Sequence, residues 1–301
     1  MALHISGENI SDSWVKAYDA LSREADCSAV NMTITVEDPS TEIKAIRREI
    51  DLDVAARKFA GERAFNKSVH TVANTIFPIS LYRPGRPDAF YQAAATGQSG
   101  RNGNITSWGP NSGTYIGRLL RYPTYDKGHF NQLERVLKNL DADLNYQDCY
   151  EISLDSDTLT TLPDNNLPRS ASASTYVPAY DNYYRGGQCL SHISLNLSKE
   201  KRLSMTALYR HQTYLSRAYG NFLGLSRLLH FLVRESRKDL RVGELMIVAS
   251  HAEIEKEARS RRQILVRSCN AHLGEDPQKI EWHSRGFGQS WSDLRLPTVS
   301  A

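Results

Sequence analysis

Residues 195 to 210 hold the pattern that most restricts how this chain can fold. Leu195 and Leu197 alternate with polar neighbours, the tetrapeptide Ser198-Lys199-Glu200-Lys201 follows, and Leu203, Met205, Ala207 and Tyr209 then alternate against Arg202, Ser204, Thr206 and Arg210. A side-chain period of two sends one set to a core and the other outward, so the stretch predicts an antiparallel hairpin with a tight connection. Arg210 falls on the face of Ser204 and Thr206, opposite the Leu and Met side chains. A helix from about Asn221 to Glu235 comes next, with Phe222, Leu225, Leu228, Leu229 and Leu232 inward, and then a short apolar strand from Leu245 to Ala249.

The rest of the chain extends this mixture. Trp14, Ala17, Tyr18 and Leu21 stand at helical spacing behind the caps Ser11 and Asp12, which predicts a helix over Ser11 to Ala25. Ala29 to Val36 alternates as a strand, and Glu42 to Phe65 is charged and Ala-rich with helical leanings but no clean stripe. Phe130, Leu133, Val136, Leu137 and Leu140 form another helix face. Between these lie an apolar run ending TIFPISLY, a Gly/Asn/Ser-rich loop from Gly97 to Gly113, and a polar stretch broken by Pro163 and Pro168 that reads as an insertion at about 153–174. Strands and helices mix without βαβ regularity. The expectation is one α+β domain over residues 1–301, with helices covering one large mixed sheet.

Composition narrows the class. Hydrophobic residues at 40% and charged residues at 24% exclude collagen-like, coiled-coil and wholly disordered chains. Thirty-seven Lys plus Arg against thirty-four Asp plus Glu leave +3, too small and dispersed to make nucleic acid the main partner, although a local anion site is compatible with it. No apolar run approaches the roughly 20 residues that span a bilayer. The four cysteines lie far apart, and MALHISGENISDSW has neither a basic nor an apolar leader region, so the expected setting is reducing and cytoplasmic.

Phosphate-loop, GxSxG, HExxH and paired CxxC signatures are absent, and Gly97, Gly100 and Gly103 have the wrong spacing for a dinucleotide loop. The informative residue is Cys189, which follows Arg185-Gly186-Gly187-Gln188 and begins a strand. A lone Cys is more often a small buried apolar side chain than a nucleophile. Here, however, the hairpin brings its outer ends together, so the Arg210 guanidinium can approach the thiol, favour its thiolate and hold an anionic group.

The order QCLSHISLNL, LYRHQTYLSRAYGNFLGLSRLL and GELMIVASHAEIE is similar to the C-terminal half of the thymidylate synthase family, which includes pyrimidine nucleotide hydroxymethylases. WGPNSGTYIGRLLRYP resembles that family's Gly-Tyr-Gly segment, HFNQLERVLKNL its following helix, and Val177-Pro178-Ala179-Tyr180-Asp181 the strand before its Cys. The resemblance runs from about Trp108 to Glu255. It implies Cys189 as the catalytic nucleophile, Arg210 as phosphate ligand, Asn221 as reader of the pyrimidine edge, 5,10-methylenetetrahydrofolate as one-carbon donor, and a homodimer across the sheet face.

Several positions depart from the pattern. Gln188 and Leu190 flank the Cys where the family has Pro and His. No Glu stands in Val72-Ala73-Asn74-Thr75-Ile76-Phe77, where the family carries its general base. Ala173 and Ser174 replace an Arg pair, leaving Arg169 nearby, and Thr213 and Arg217 replace the Asp and Gly of the folate-binding loop. Glu253 and Glu255 replace the His and Tyr that hold the sugar. Two carboxylates suit a vicinal diol and therefore a ribonucleotide, or else they merely begin the solvated charged run EIEKEARSRR. His211, beside Arg210, is a proton relay or an exposed loop residue. In the mechanism this implies, Cys189 adds to C6 of a pyrimidine nucleotide, C5 gains nucleophilic character and takes up a one-carbon unit as methyl or hydroxymethyl. The alternative is a nucleotide-binding relative without turnover, in a regulatory or scaffolding role.

Overall fold

In a computed structural model the described residues are 2–62, 65, 67–97, 114–123, 129–142, 150–153 and 189–280. The chain opens on strand β1 (His4–Asn9), which sequence reasoning missed because HISGEN carries little apolar patterning. Asn9 ends the strand and caps helix α1 (Ile10–Arg23), its side chain accepting from the amides of Ser11 and Asp12 at 3.0 and 3.1 Å. The helix therefore starts before the expected caps. Ser11 is buried inside it, accepting from the Ile43 amide at 2.7 Å and lying 2.7 Å from the Tyr219 hydroxyl. Trp14, Ala17, Tyr18 and Leu21 are all buried, as their spacing predicts.

Strand β2 (Ser28–Asp38) outruns its expected limits, and β3 (Thr41–Glu42) leads into α2 (Lys44–Phe59). The buried stripe of α2 is Ile46, Ile50 and Val54, and its interleaved charge is partly internal, since Arg57 is buried against Asp53 at 2.7 Å. Then come α3 (Val69–Ile76), a single turn at Ile79–Leu81, α4 (Pro87–Gly97), α5 (Tyr115–Leu120), β4 (Tyr122–Pro123) and β5 (His129–Phe130). Phe130 thus belongs to a strand. Helix α6 (Gln132–Asp141) is capped by Asn131 and buries Leu133, Val136, Leu137 and Leu140. Strand β6 (Tyr150–Ser153) follows. The expected insertion beyond Ser153 and the Gly-rich loop beyond Gly97 lie outside the described residues.

The predicted hairpin is β7 (Leu190–Leu197) and β8 (Arg202–Tyr209), antiparallel, with Leu195 opposite Met205 and Lys201 at φ 60 in the turn. Next come β9 (Gln212–Thr213), a π-helical turn at Tyr214–Ala218, α7 (Tyr219–Glu235), β10 (Arg241–Glu253), a 3-10 turn at Lys256–Arg261, α8 (Arg262–Asn270) and β11 (Gln278–Lys279). One seven-stranded mixed sheet runs β1-β2-β10-β8-β7-β6, with β9 alongside the end of β10; β1 is parallel to β2 and β10 to β8, and the remaining neighbours along that order are antiparallel. Among the described residues, eight α-helices accompany it.

Met32, Ile34, Val36, Leu203, Met205, Ala207, Leu245, Ile247 and Ala249 share a continuous core with α1 and α7. On α7 the five side chains picked out by periodicity, Phe222, Leu225, Leu228, Leu229 and Leu232, are fully buried. The alternate positions of the same strands, such as Thr33, Thr35, Thr206, Met246 and Val248, are only partly covered, and Leu208 is exposed. The architecture is therefore mixed α and β with a mixed sheet, in agreement with the coarse expectation. Among the described residues, no helix is long and apolar enough to cross a membrane.

A polar layer lies between α2, α3 and α7. Glu42 is buried between Arg47 and the Tyr219 hydroxyl, which donates to it at 3.1 Å. Asp51 accepts from the Val69 amide at 2.8 Å, and burial pushes its carboxyl up to about 6. A carboxyl whose folded pKa is raised is penalised when ionised. The native state holds its proton between about pH 4 and 6 while the unfolded chain has lost it, so stability falls as pH rises through that window. Asp51→Asn keeps an acceptor for Val69 and removes the charge. It is expected to stabilise the protein at pH 7.5 by on the order of 2 kcal/mol and to have no effect at pH 3.5, which urea unfolding at the two pH values measures.

Candidate active site

Hairpin geometry brings Cys189 and Arg210 together. Leu190 pairs with Tyr209, and one step beyond that pair the Arg210 amide donates to the Cys189 carbonyl at 2.8 Å. A register shift between Leu190 and His192 leaves Ser191 in a bulge, tied by its hydroxyl to the Leu208 carbonyl at 3.0 Å. Bulges re-aim the chain at a strand end, here immediately beside the cysteine. Because β10 runs parallel to β8, its C-terminal end reaches the same end of the sheet, where Ala252 and Glu253 pair with Gln212 and Thr213.

The Cys189 thiol is part-buried, and two opposing effects act on it. Burial pushes it up, whereas the positive charges of Arg210 and Arg217 pull it down; burial prevails. Arg210 is exposed at the end of β8, while Arg217 is half-buried and projects from the π turn. Sequence reasoning placed Arg217 with a cofactor; the structure places it within electrostatic reach of the thiol. It also adds Tyr115, at the start of α5, whose hydroxyl accepts from the Leu190 amide at 3.4 Å. That hydroxyl is deep although the residue as a whole is only half-buried, and burial pushes it up to about 12. The signal for Tyr115 was present in the segment Gly113-Thr114-Tyr115-Ile116-Gly117. Beneath the site, the Tyr209 hydroxyl and the Gln212 amide are buried without a hydrogen-bond partner among the described residues.

Glu255 requires a correction. Rather than beginning a solvated charged run, it is buried, and its two carboxylate oxygens accept from the amides of Leu215 at 3.1 Å and Ser216 at 2.9 Å. It thereby satisfies the open donors at the start of the π turn that presents Arg217. Thr213 stands at the entry of the same turn with its hydroxyl 3.1 Å from that of Ser216. Asn221 lies in the first turn of α7, four residues beyond Arg217. It is 5% exposed, and its amide has no hydrogen-bond partner among the described residues.

The expected acidic pair becomes a different pair. Glu253 is the last residue of β10, and His251, two residues before it, shares its strand. His211 stacks on His251 with ring centroids 5.1 Å apart, and its Nε2 lies 3.2 Å from the Glu253 carboxylate, which Arg259 also reaches at 3.5 Å. These groups form a part-exposed polar rim beside Arg210. Sequence reasoning found Glu253 and His211 in it and missed His251.

No carboxylate occupies the Val72 to Phe77 run, where a general base was sought. Asn74 instead accepts from the fully buried Arg227 at 3.3 Å, and Arg227 also donates to His70 Nδ1 at 2.9 Å. Burial, with Arg47 and Arg227 nearby, pushes His70 down to about 2, so it stays neutral. Arg169, Ala173 and Ser174 lie outside the described residues. Among the described residues, no group of three or more His, Cys, Asp or Glu side chains could hold a metal ion. Compared with protein-family models and with curated proteins, the sequence gives no match.

Proposed function

We propose that the chain is a thymidylate synthase-like enzyme that acts on C5 of a pyrimidine nucleotide. The observation that carries this reading is the Cys189 thiol at the start of β7, joined to Arg210 through the backbone hydrogen bond and within electrostatic reach of two guanidinium groups from different elements, Arg210 and Arg217. A thiolate forms a bond to C6, and the ring electrons move to C5 and the C4 oxygen. C5 then forms a bond to a proton or a carbon electrophile and loses its original proton, and expulsion of the thiolate restores the ring. Asn221, whose side-chain amide offers both a donor and an acceptor, suits N3–H and O4 of uracil, and a donor on the developing O4 charge is worth about 3 kcal/mol in comparable sites. In this reading the rim of His211, His251 and Glu253 meets the sugar, and a carboxylate there favours a ribose diol over deoxyribose.

Methylenetetrahydrofolate fits this loop poorly. The Thr213 hydroxyl is engaged with Ser216, the Glu255 carboxylate is engaged with two amides, and Arg217 fills the place of a glycine, so among the described residues of this loop no uncommitted acid awaits a pterin ring. The carrier of the carbon electrophile is left unassigned. The half-covered sheet face, with Thr206, Leu208, Met246 and Val248, supports a homodimer through that face, since parallel strand pairs are usually covered on both sides.

One observation favours the second reading, a binder without turnover: burial leaves the thiol above its ordinary value despite both cations. Release of tritium from C5 of UMP, dUMP, CMP and dCMP separates the two. Exchange, with UMP fastest, is the expected result; binding of any of them without exchange would favour the binder.

A further inference from the structure

The reaction above gives Glu255 no part, although the fold commits its carboxylate fully. The residue is 7% exposed, and each of its oxygens accepts from one backbone amide, Leu215 at 3.1 Å and Ser216 at 2.9 Å. Those amides open the π turn at Tyr214–Ala218, which runs without a break into α7, since Ala218 and Tyr219 keep helical angles. A helical path that starts there has free donors in its first turn, and the residue just before it ordinarily caps them. Thr213 makes no such bond; its hydroxyl lies 3.1 Å from that of Ser216 instead. The cap comes from another part of the chain, two residues beyond the end of β10.

The backbone that carries this clamp is itself anchored. Ile254 donates to the Cys27 carbonyl at 2.8 Å and accepts from Arg259 Nε at 3.0 Å, and the Glu255 carbonyl accepts from the Ala258 amide at 2.8 Å. Trp14 Nε1, from α1, donates to the Tyr214 carbonyl at 3.1 Å. Downstream, α7 is fixed separately, because a Cβ on Gly220 would stand 2.7 Å from the Val69 carbonyl of α3. Glu255 therefore governs the stretch before Gly220, which holds Arg217. The same stretch is tied to the cysteine: the Cys189 carbonyl accepts from the Arg210 amide at 2.8 Å, and three residues, His211, Gln212 and Thr213, separate Arg210 from the π turn. A π turn holds one residue more than the α path, and giving that residue up swings the chain before it by about 100°. Arg217 would then turn away from the thiol, whose ionised form its charge favours.

We propose that Glu255 is a positioning residue, which keeps this turn in its π register and so holds Arg217 toward Cys189. The proposal rests on the reading of Cys189 as the nucleophile and deepens it: the reactivity of the thiol depends on a buried carboxylate that acts through the backbone of a neighbouring turn. The sign of the effect is diagnostic. Removing a negative charge by itself makes a nearby thiolate easier to form and quickens the thiol, whereas releasing Arg217 slows it.

The test is the rate of Cys189 alkylation by iodoacetamide, read by peptide mass in the full chain without nucleotide. Arg217→Gln is expected to slow it about fivefold. Glu255→Gln, the same shape with one acceptor oxygen, and Glu255→Asp, which keeps the charge and shortens the reach, should each slow it about threefold or more and move the rate profile to higher pH. In both, amides of the Tyr214–Ala218 stretch should exchange hydrogen about tenfold faster than in wild type. The double variant Glu255→Gln/Arg217→Gln should stay within about twofold of Arg217→Gln, because the two changes remove one effect. Asp141→Asn is the control. Asp141 holds the other end of α7, accepting from the Ser236 hydroxyl and the Arg237 amide at 2.8 Å each, and this change should leave alkylation at the wild-type rate even where the melting temperature falls. Alkylation at or above the wild-type rate in Glu255→Gln and Glu255→Asp would overturn the proposal, as would slowing that multiplies in the double variant or appears equally in Asp141→Asn. Alkylation needs no pyrimidine, so a wild-type protein that fails to exchange C5 tritium loses the enzyme reading, while the alkylation series still decides the role of Glu255.

Discussion

Cys189→Ala is expected to lower C5 exchange by on the order of 10⁴-fold or more while leaving nucleotide affinity within about threefold. The asymmetry follows from the chemistry. Addition at C6 needs a nucleophile that bonds and later leaves, and no other described side chain beside Arg210 and Arg217 offers one, whereas affinity rests on charge and on the Asn221 amide. Cys189→Ser is expected to be equally inactive, because a hydroxyl next to two cations remains far from ionisation at neutral pH. The thiol is only part-buried, so either variant should lose less than about 1 kcal/mol of stability. Equilibrium binding of UMP together with tritium release checks both halves, and a Cys189→Ala protein that exchanges at a tenth of the wild-type rate would remove the thiol from the mechanism.

Gly220→Ala should be among the damaging single-methyl additions in the described fold. Its Cβ would lie 2.5 Å from Val72 Cβ and 2.7 Å from the Val69 carbonyl oxygen, both fixed parts of α3. The helices must separate, at an expected cost of about 3 kcal/mol. Trimming Val72 to alanine should not rescue the variant, since neither of those two atoms is removed. Gly220 also stands between Arg217 and Asn221, so surviving protein should lose C5 exchange. Gly274→Ala, where a Cβ meets nothing within 4 Å, is the matched control and should be neutral. Urea midpoints of the two variants measure the difference.

How far the sequence could be read depended on how local each signal was. The β7–β8 hairpin and the five inward positions of α7 were legible because alternation and helical spacing each repeat several times within one element. The approach of Arg210 to Cys189 followed from the hairpin alone. β1 was not legible, since its buried positions are Gly7 and Asn9, and its role is to bring Asn9 to the start of α1. Glu253 and Glu255 do not form a side-by-side pair because β10 ends at Glu253: same-face spacing holds for His251 and Glu253 within the strand and fails for Glu255 beyond it. The electrostatic reach of Arg217 to the thiol was not legible, because it projects from a π turn that a 3.6-residue period does not reveal. The lack of a Glu between Val72 and Phe77 was legible, but the engagement of Asn74 with Arg227 required the packing of α3 on α7.

The central claim is that Cys189 bonds to C6 of a pyrimidine. Incubation of the full chain with 5-fluoro-UMP, 5-fluoro-dUMP and 5-fluoro-CMP, followed by intact mass and peptide mapping, tests it without reference to any product. A mass gain of one nucleotide located on the Cys189 peptide, strongest with 5-fluoro-UMP and absent in Cys189→Ala, is the predicted result. An unmodified Cys189 peptide with all three nucleotides at saturating concentration would contradict the account.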